Sequence, residues 1–157
     1  MRLFLITYLL LLFVSEAQAQ NGNNYLEVIT NTSLNFNCNS PETLENDQTI
    51  NGAITIRVRS RNNNCSVYAK LSSYTGPSGY MAFPYPIQLV YTSTNSSRAY
   101  GIVNAPLSLT TSDQLIFRQY SSNSVFNYYY NLRLKALGYT YPIGQYSFTI
   151  LYTMTQP

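Results

Sequence analysis

Ala53-Ile-Thr-Ile-Arg-Val-Arg-Ser60 alternates without a break. In an extended chain successive side chains leave on opposite faces, so Ile54, Ile56 and Val58 share one side and Thr55, Arg57 and Arg59 the other. A helical period would scatter both sets around a cylinder, whereas period two gives one apolar and one wet face. Isoleucine, valine and threonine also favour the pleated backbone. This stretch is a half-buried β-strand.

The same rhythm extends to both sides. Arg61-Asn62-Asn63-Asn64 makes a turn, after which Cys65, Val67, Ala69 and Leu71 alternate with Ser66, Tyr68 and Lys70. Upstream, Tyr25 to Thr30 and Ser33 to Cys38 read as short strands, followed by a polar stretch, Pro41 to Gly52, that ends on the turn signal Asn51-Gly52. Downstream, a Gly/Pro-rich loop from Ser72 to Pro86 precedes strands at Ile87–Thr92, Arg98–Val103, Leu107–Leu109 and Leu115–Tyr120. Phe126 to Leu137 is longer, with Phe126, Tyr128, Tyr130, Leu132, Leu134 and Ala136 on the core side. In the last strand Tyr146, Phe148, Ile150, Tyr152 and Met154 alternate with Ser147, Thr149, Leu151 and Thr153. The expectation is an all-β fold, a single antiparallel immunoglobulin-like β-sandwich of seven to nine strands, with almost no helix.

Met1-Arg2, the apolar run Leu3 to Val14 and the small residues of Ala17-Gln18-Ala19 have the layout of a cleavable export signal. Residues 1–19 are therefore read as a signal peptide and 20–157 as the β-sandwich domain. The apolar run is short for a bilayer span, and no later stretch is apolar for long enough, so the mature chain is expected to have no transmembrane segment. The destination is outside the cytoplasm: periplasm, outer-membrane surface or extracellular space. There, the two cysteines Cys38 and Cys65 are expected to form a disulfide closing a loop of about 26 residues and worth roughly 2–4 kcal/mol.

The composition argues against catalysis. The chain has no histidine, which removes the commonest general base and the usual metal ligand. Glu42, Glu45 and Asp47 share one polar loop, but their spacing lacks a calcium-loop pattern, and no phosphate-binding glycine loop or Cys-x-x-Cys pair is present. No catalytic residue, metal or cofactor is expected, and the chain is read as a non-enzyme. A net charge of +3 without a dense basic patch does not point to nucleic acid. The candidate contact surface is the basic stripe Arg57, Arg59 and Arg61, together with Tyr74, Tyr80 and Tyr85 of the Gly/Pro-rich loop, since tyrosine offers wide contact at low entropic cost. These residues support the alternative of an extracellular carbohydrate- or ligand-binding module. Asn31-Thr32-Ser33, Asn64-Cys65-Ser66 and Asn95-Ser96-Ser97 fit the N-glycosylation acceptor pattern, which matters only in a eukaryotic source.

Tyr141-Pro-Ile-Gly-Gln-Tyr-Ser-Phe-Thr-Ile-Leu-Tyr-Thr-Met-Thr155 places a Pro-x-Gly-x-Tyr entry before a long final strand. Together with the order of Leu34-Asn35-Phe36, Ile54-Thr55-Ile56, Ser66-Val67-Tyr68-Ala69-Lys70-Leu71, Ile87-Gln88-Leu89-Val90-Tyr91 and Tyr100-Gly101, this resembles the spore coat U domain of archaic chaperone–usher pilins, and more distantly the WxL surface domain. Cys65 departs from that pattern by opening a strand rather than ending one. The resemblance implies a structural or adhesion subunit of a surface fibre, associating with itself or with other subunits by β-strand addition. Within it, Asn21 to Thr30 is the candidate donated or edge strand, with Leu26 and Val28 on one face and Tyr25 and Ile29 on the other. A periplasmic or outer-membrane accessory subunit docked through a sheet edge is the remaining alternative.

Overall fold

The computed structural model describes residues 24–32, 34–77 and 86–157. The expected signal peptide, the first residues of the candidate donated strand (21–23), Tyr80 and Tyr85 lie outside these residues. The elements in chain order are β1 (Tyr25–Thr30), β2 (Phe36–Cys38), α1 (Pro41–Glu45), β3 (Gln48–Ser60), β4 (Cys65–Thr75), β5 (Ile87–Thr94), β6 (Ala99–Tyr100), β7 (Leu107–Ser108), β8 (Gln114–Gln119), β9 (Ser122–Leu134) and β10 (Gly144–Thr155). They build two five-stranded antiparallel sheets, β1-β3-β9-β5-β7 and β2-β10-β4-β8-β6. The all-β sandwich expected from alternation is what the chain forms. The described residues form ten strands rather than seven to nine, because the crossover between β5 and β8 contributes two-residue strands to both sheets.

The core lies between the sheets and is built from the alternating sets. Ile54, Ile56 and Val58 of β3 and Tyr128, Tyr130, Leu132 and Leu134 of β9 face Val67, Ala69 and Leu71 of β4, Phe117 of β8 and Tyr146 of β10, all at most 2% exposed. Phe117 and Tyr128 stack across the sandwich with ring centroids 3.6 Å apart. A bulge in β8 places both Ile116 and Phe117 inside.

Four local expectations need correction. Asn51-Gly52 is not a hairpin turn but a bulge inside β3, where Gly52 takes φ +59° and its N–H donates to Asn131 Oδ1 at 2.8 Å. The polar stretch before it holds one helical turn. Ser40 Oγ accepts from Thr43 N, Thr43 Oγ1 accepts from Ser40 N, and Pro41 needs no partner at the first helical position. Tyr74 belongs to β4 rather than to a loop, half-buried and opposite Phe148. Ala136 is exposed and Leu137 is buried, because β9 ends at Leu134 and alternation ends with it.

The disulfide is the largest correction. Cys38 sits opposite Gly144 at the start of β10, while Cys65 lies one residue beyond the Ser66–Thr155 pair at its end. A strand rising about 3.3 Å per residue separates them by roughly 40 Å, against the ~7 Å limit between bridged Cα atoms. Both are free and buried. Burial pushes both thiols up, against the opposing hydrogen bonds from Gln48 to Cys38 and from Ser60 and Gln119 to Cys65. They behave as small packed hydrophobes.

Asparagine side chains substitute for backbone where ladders end. Asn31 Nδ2 donates to Gly52 O and Thr55 Oγ1, Asn64 Oδ1 accepts from Ser121 N, and Asn95 Oδ1 accepts from Asn127 N. The asparagines of the three acceptor patterns are thus clasps between strands. Asp47 does similar work, accepting from Ala136 N at 2.9 Å.

Candidate functional site: an open groove beside the last strand

The two lateral sides of the sandwich are built differently. On one side the segment between β5 and β8 crosses from sheet to sheet and ties into both, through Leu109 N to Ile87 O, Leu71 N to Thr110 O and Val103 N to Ile116 O. That gap is closed. On the other side β1 is the edge of the first sheet and β2 the edge of the second. β2 pairs only with Gly144 to Tyr146 of β10. Past it, β10 is bonded to β4 along one flank, and among the described residues no strand pairs with the other flank from Thr149 to Thr155.

A cavity of about 220 Å³ opens there, between β1 and β10, lined chiefly by Val28, Leu34, Ile54, Phe148, Ile150 and Tyr152. Val28, at 38% exposed, turns an apolar side chain to this opening. One end is shut where Gln156 Nε2 donates to Ser60 Oγ and Gln156 Oε1 accepts from Asn24 Nδ2. At the other end the chain passes from β1 through Leu34 into β2. The lining carries no charge. Beneath it the hydroxyls of Tyr130 and Tyr152 are buried without a partner, and burial drives both phenols far above their ordinary range. The site combines unpaired backbone with adjacent apolar side chains, a combination that pairs with a β-strand.

Among the residues proposed as a donated or edge strand, Tyr25, Leu26, Val28 and Ile29 form β1, which is an edge strand paired within its own chain to Arg59, Val58, Ile56 and Thr55 of β3. The arginine stripe makes contacts along this strand. Arg57 Nη1 meets Glu27 Oε2 at 2.8 Å, and the Arg59 guanidinium lies 5.1 Å from the centre of the Tyr25 ring. Arg61 donates through Nε to Asn123 Oδ1. The stripe and Tyr74 are not brought together, since Arg57 and Arg59 lie on the outer side of the first sheet and Tyr74 pairs within the second. Glu42, Glu45 and Asp47 do not converge, and among the described residues no three potential ligands gather as a metal site. No helix among them is long and apolar enough to cross a membrane.

Alternation located both walls of the groove. It could not show the opening, because the length of β2 decides that, and β2 stops three residues into its pairing. The chain matches no family model, no curated protein and no solved structure.

Proposed function

We propose that this chain is a secreted, non-enzymatic structural or adhesion subunit of a surface fibre, which assembles by accepting a β-strand from another subunit along β10. The observation that carries this reading is the unpaired flank of Thr149 to Thr155 beside an unfilled apolar groove. An exposed edge with apolar side chains next to it is a liability in a protein that stays single, and an asset in one that is completed by a partner. An incoming strand would extend the second sheet by backbone hydrogen bonds and place alternate apolar side chains against Ile54, Phe148, Ile150 and Tyr152. The export signal read at residues 1–19 and the resemblance to pilin-like domains point the same way.

The test compares the mature chain with Ile150→Lys, which puts a charge into the groove. The parent should form concentration-dependent oligomers, or capture a synthetic strand of roughly ten residues alternating valine and threonine. The variant should keep its β circular-dichroism spectrum and do neither. A parent that sediments as a monomer at every concentration and takes up no such peptide would overturn the reading.

A further inference from the structure

The far edge of the second sheet, away from the groove, carries a second feature. β6 and β8 pair there with Ala99 opposite Gln119 and Tyr100 opposite Arg118. The ladder continues one step, since Tyr120 N donates to Arg98 O at 2.9 Å. Ala99 and Gln119 point inward, and Gln119 is fully buried. Period two therefore turns Arg98 and Tyr100 of one strand outward, together with Arg118 and Tyr120 of the next. They make a checkerboard, each arginine facing a tyrosine across the ladder. The tyrosines meet on the diagonal, stacked with centroids 4.2 Å apart and planes 19° apart.

The patch faces solvent. Tyr120 is 48% exposed, and Arg98 and Arg118 are both exposed. Gly101, at φ +58°, turns the chain beside Arg118, whose Cγ and Cδ pack next to that turn. The carboxylates elsewhere are engaged or distant. Glu27 pairs with Arg57 and Asp113 with Lys70, while Glu42, Glu45 and Asp47 lie in and just after α1.

We propose that this checkerboard binds an acidic saccharide, with a sugar ring lying on the exposed face of Tyr120 and its carboxylate taken by Arg98 or Arg118. The stacked phenols supply a broad, stiff surface for the C–H face of a pyranose. Planar guanidiniums suit a carboxylate in bidentate geometry. Two arginines match a carboxylate-bearing sugar better than a polyphosphate backbone, which calls for a longer basic track. The site is separate from the groove, so a subunit completed along β10 keeps it free.

The test uses the mature chain with an oligogalacturonate, a neutral oligosaccharide of the same length and a single-stranded oligonucleotide of the same charge, by calorimetry at low salt. Oligogalacturonate should bind and the neutral sugar should not. Tyr120→Ala and Arg118→Ala should each weaken binding by about tenfold, and Tyr120→Phe should retain it. Ile150→Lys should leave it unchanged, which separates this site from strand addition. No binding of oligogalacturonate, equal binding by Tyr120→Ala, or tighter binding of the oligonucleotide would overturn the proposal.

Discussion

β9 and β10 are long strands that each present a row of large side chains to the interior. β9 runs through the middle of the first sheet, with β3 on one flank and β5 on the other, and Tyr128, Tyr130, Leu132 and Leu134 are dry. β10 has a full-length neighbour on one flank only, and Phe148, Ile150, Tyr152 and Met154 stay half-buried. The two rows are similar in chemistry and differ in surroundings. Periodicity chooses which face turns inward, whereas the number of flanking strands decides whether that face is sealed.

Amide hydrogen exchange should show the contrast most strongly. In the monomer, alternate amides of Thr149 to Thr155 on the open flank should exchange at least about a thousandfold faster than those of Tyr128 to Leu134, because they need no opening of the core. Uniform protection across β10 in a sedimentation-proven monomer would break the comparison. In chemical denaturation, Leu132→Ala should cost about 3 kcal/mol and Ile150→Ala nearer 1 kcal/mol, since a half-wet side chain gives up less buried area. Equal losses would mean the groove is already filled.

Alkali probes both strands together. Burial pushes Tyr128 up to about 12 and Tyr130 and Tyr152 higher, while an unfolded tyrosine ionises near pH ~10. The folded state therefore holds these protons longer. Stability is fully present below about pH 10 and falls as pH rises towards 12. Urea midpoints across that range should drop, and Tyr130→Phe should lessen the slope. The smallest effect belongs to the opposite wall of the groove. Glu27→Gln should destabilise by no more than about 0.5 kcal/mol, because both partners of the Glu27–Arg57 pair are well exposed. A larger loss would show that β1 depends on the pair rather than on its ladder with β3.

Much of the fold could be read from residues whose alternation is unambiguous, such as Ile54 to Arg59 and Tyr146 to Met154. What escaped depends on partners distant in sequence. An expected destination outside the cytoplasm and an even cysteine count favour a bridge, but which end of β10 each cysteine meets is a matter of topology. Gly52 looked like a turn because a bulge and a hairpin use the same backbone conformation. Ser40-Pro41 followed by Thr43 was a legible helix start, hidden by the polarity around it. The stripe Arg57–Arg59 is visible in the sequence but not that β1 pairs beside it, and the Arg98/Tyr100 and Arg118/Tyr120 repeats gain meaning only once β6 lies beside β8.

The amide clasps carry a consequence for longevity. A protein whose strand ends are fastened by Asn31, Asn64 and Asn95, and whose β3 bulge is held by Asn131, secures those joints with groups that neither gain nor lose a proton in ordinary surroundings, so salt and mild acid leave them intact. Hydrolysis of a carboxamide to a carboxylate removes the donor that Asn31 uses, whereas Asn64, Asn95 and Asn131 accept through Oδ1 and would keep an acceptor there, as Asp47 does. Such a molecule should weather fluctuating water well, and chemical ageing should loosen it first where Asn31 fastens β1 to β3.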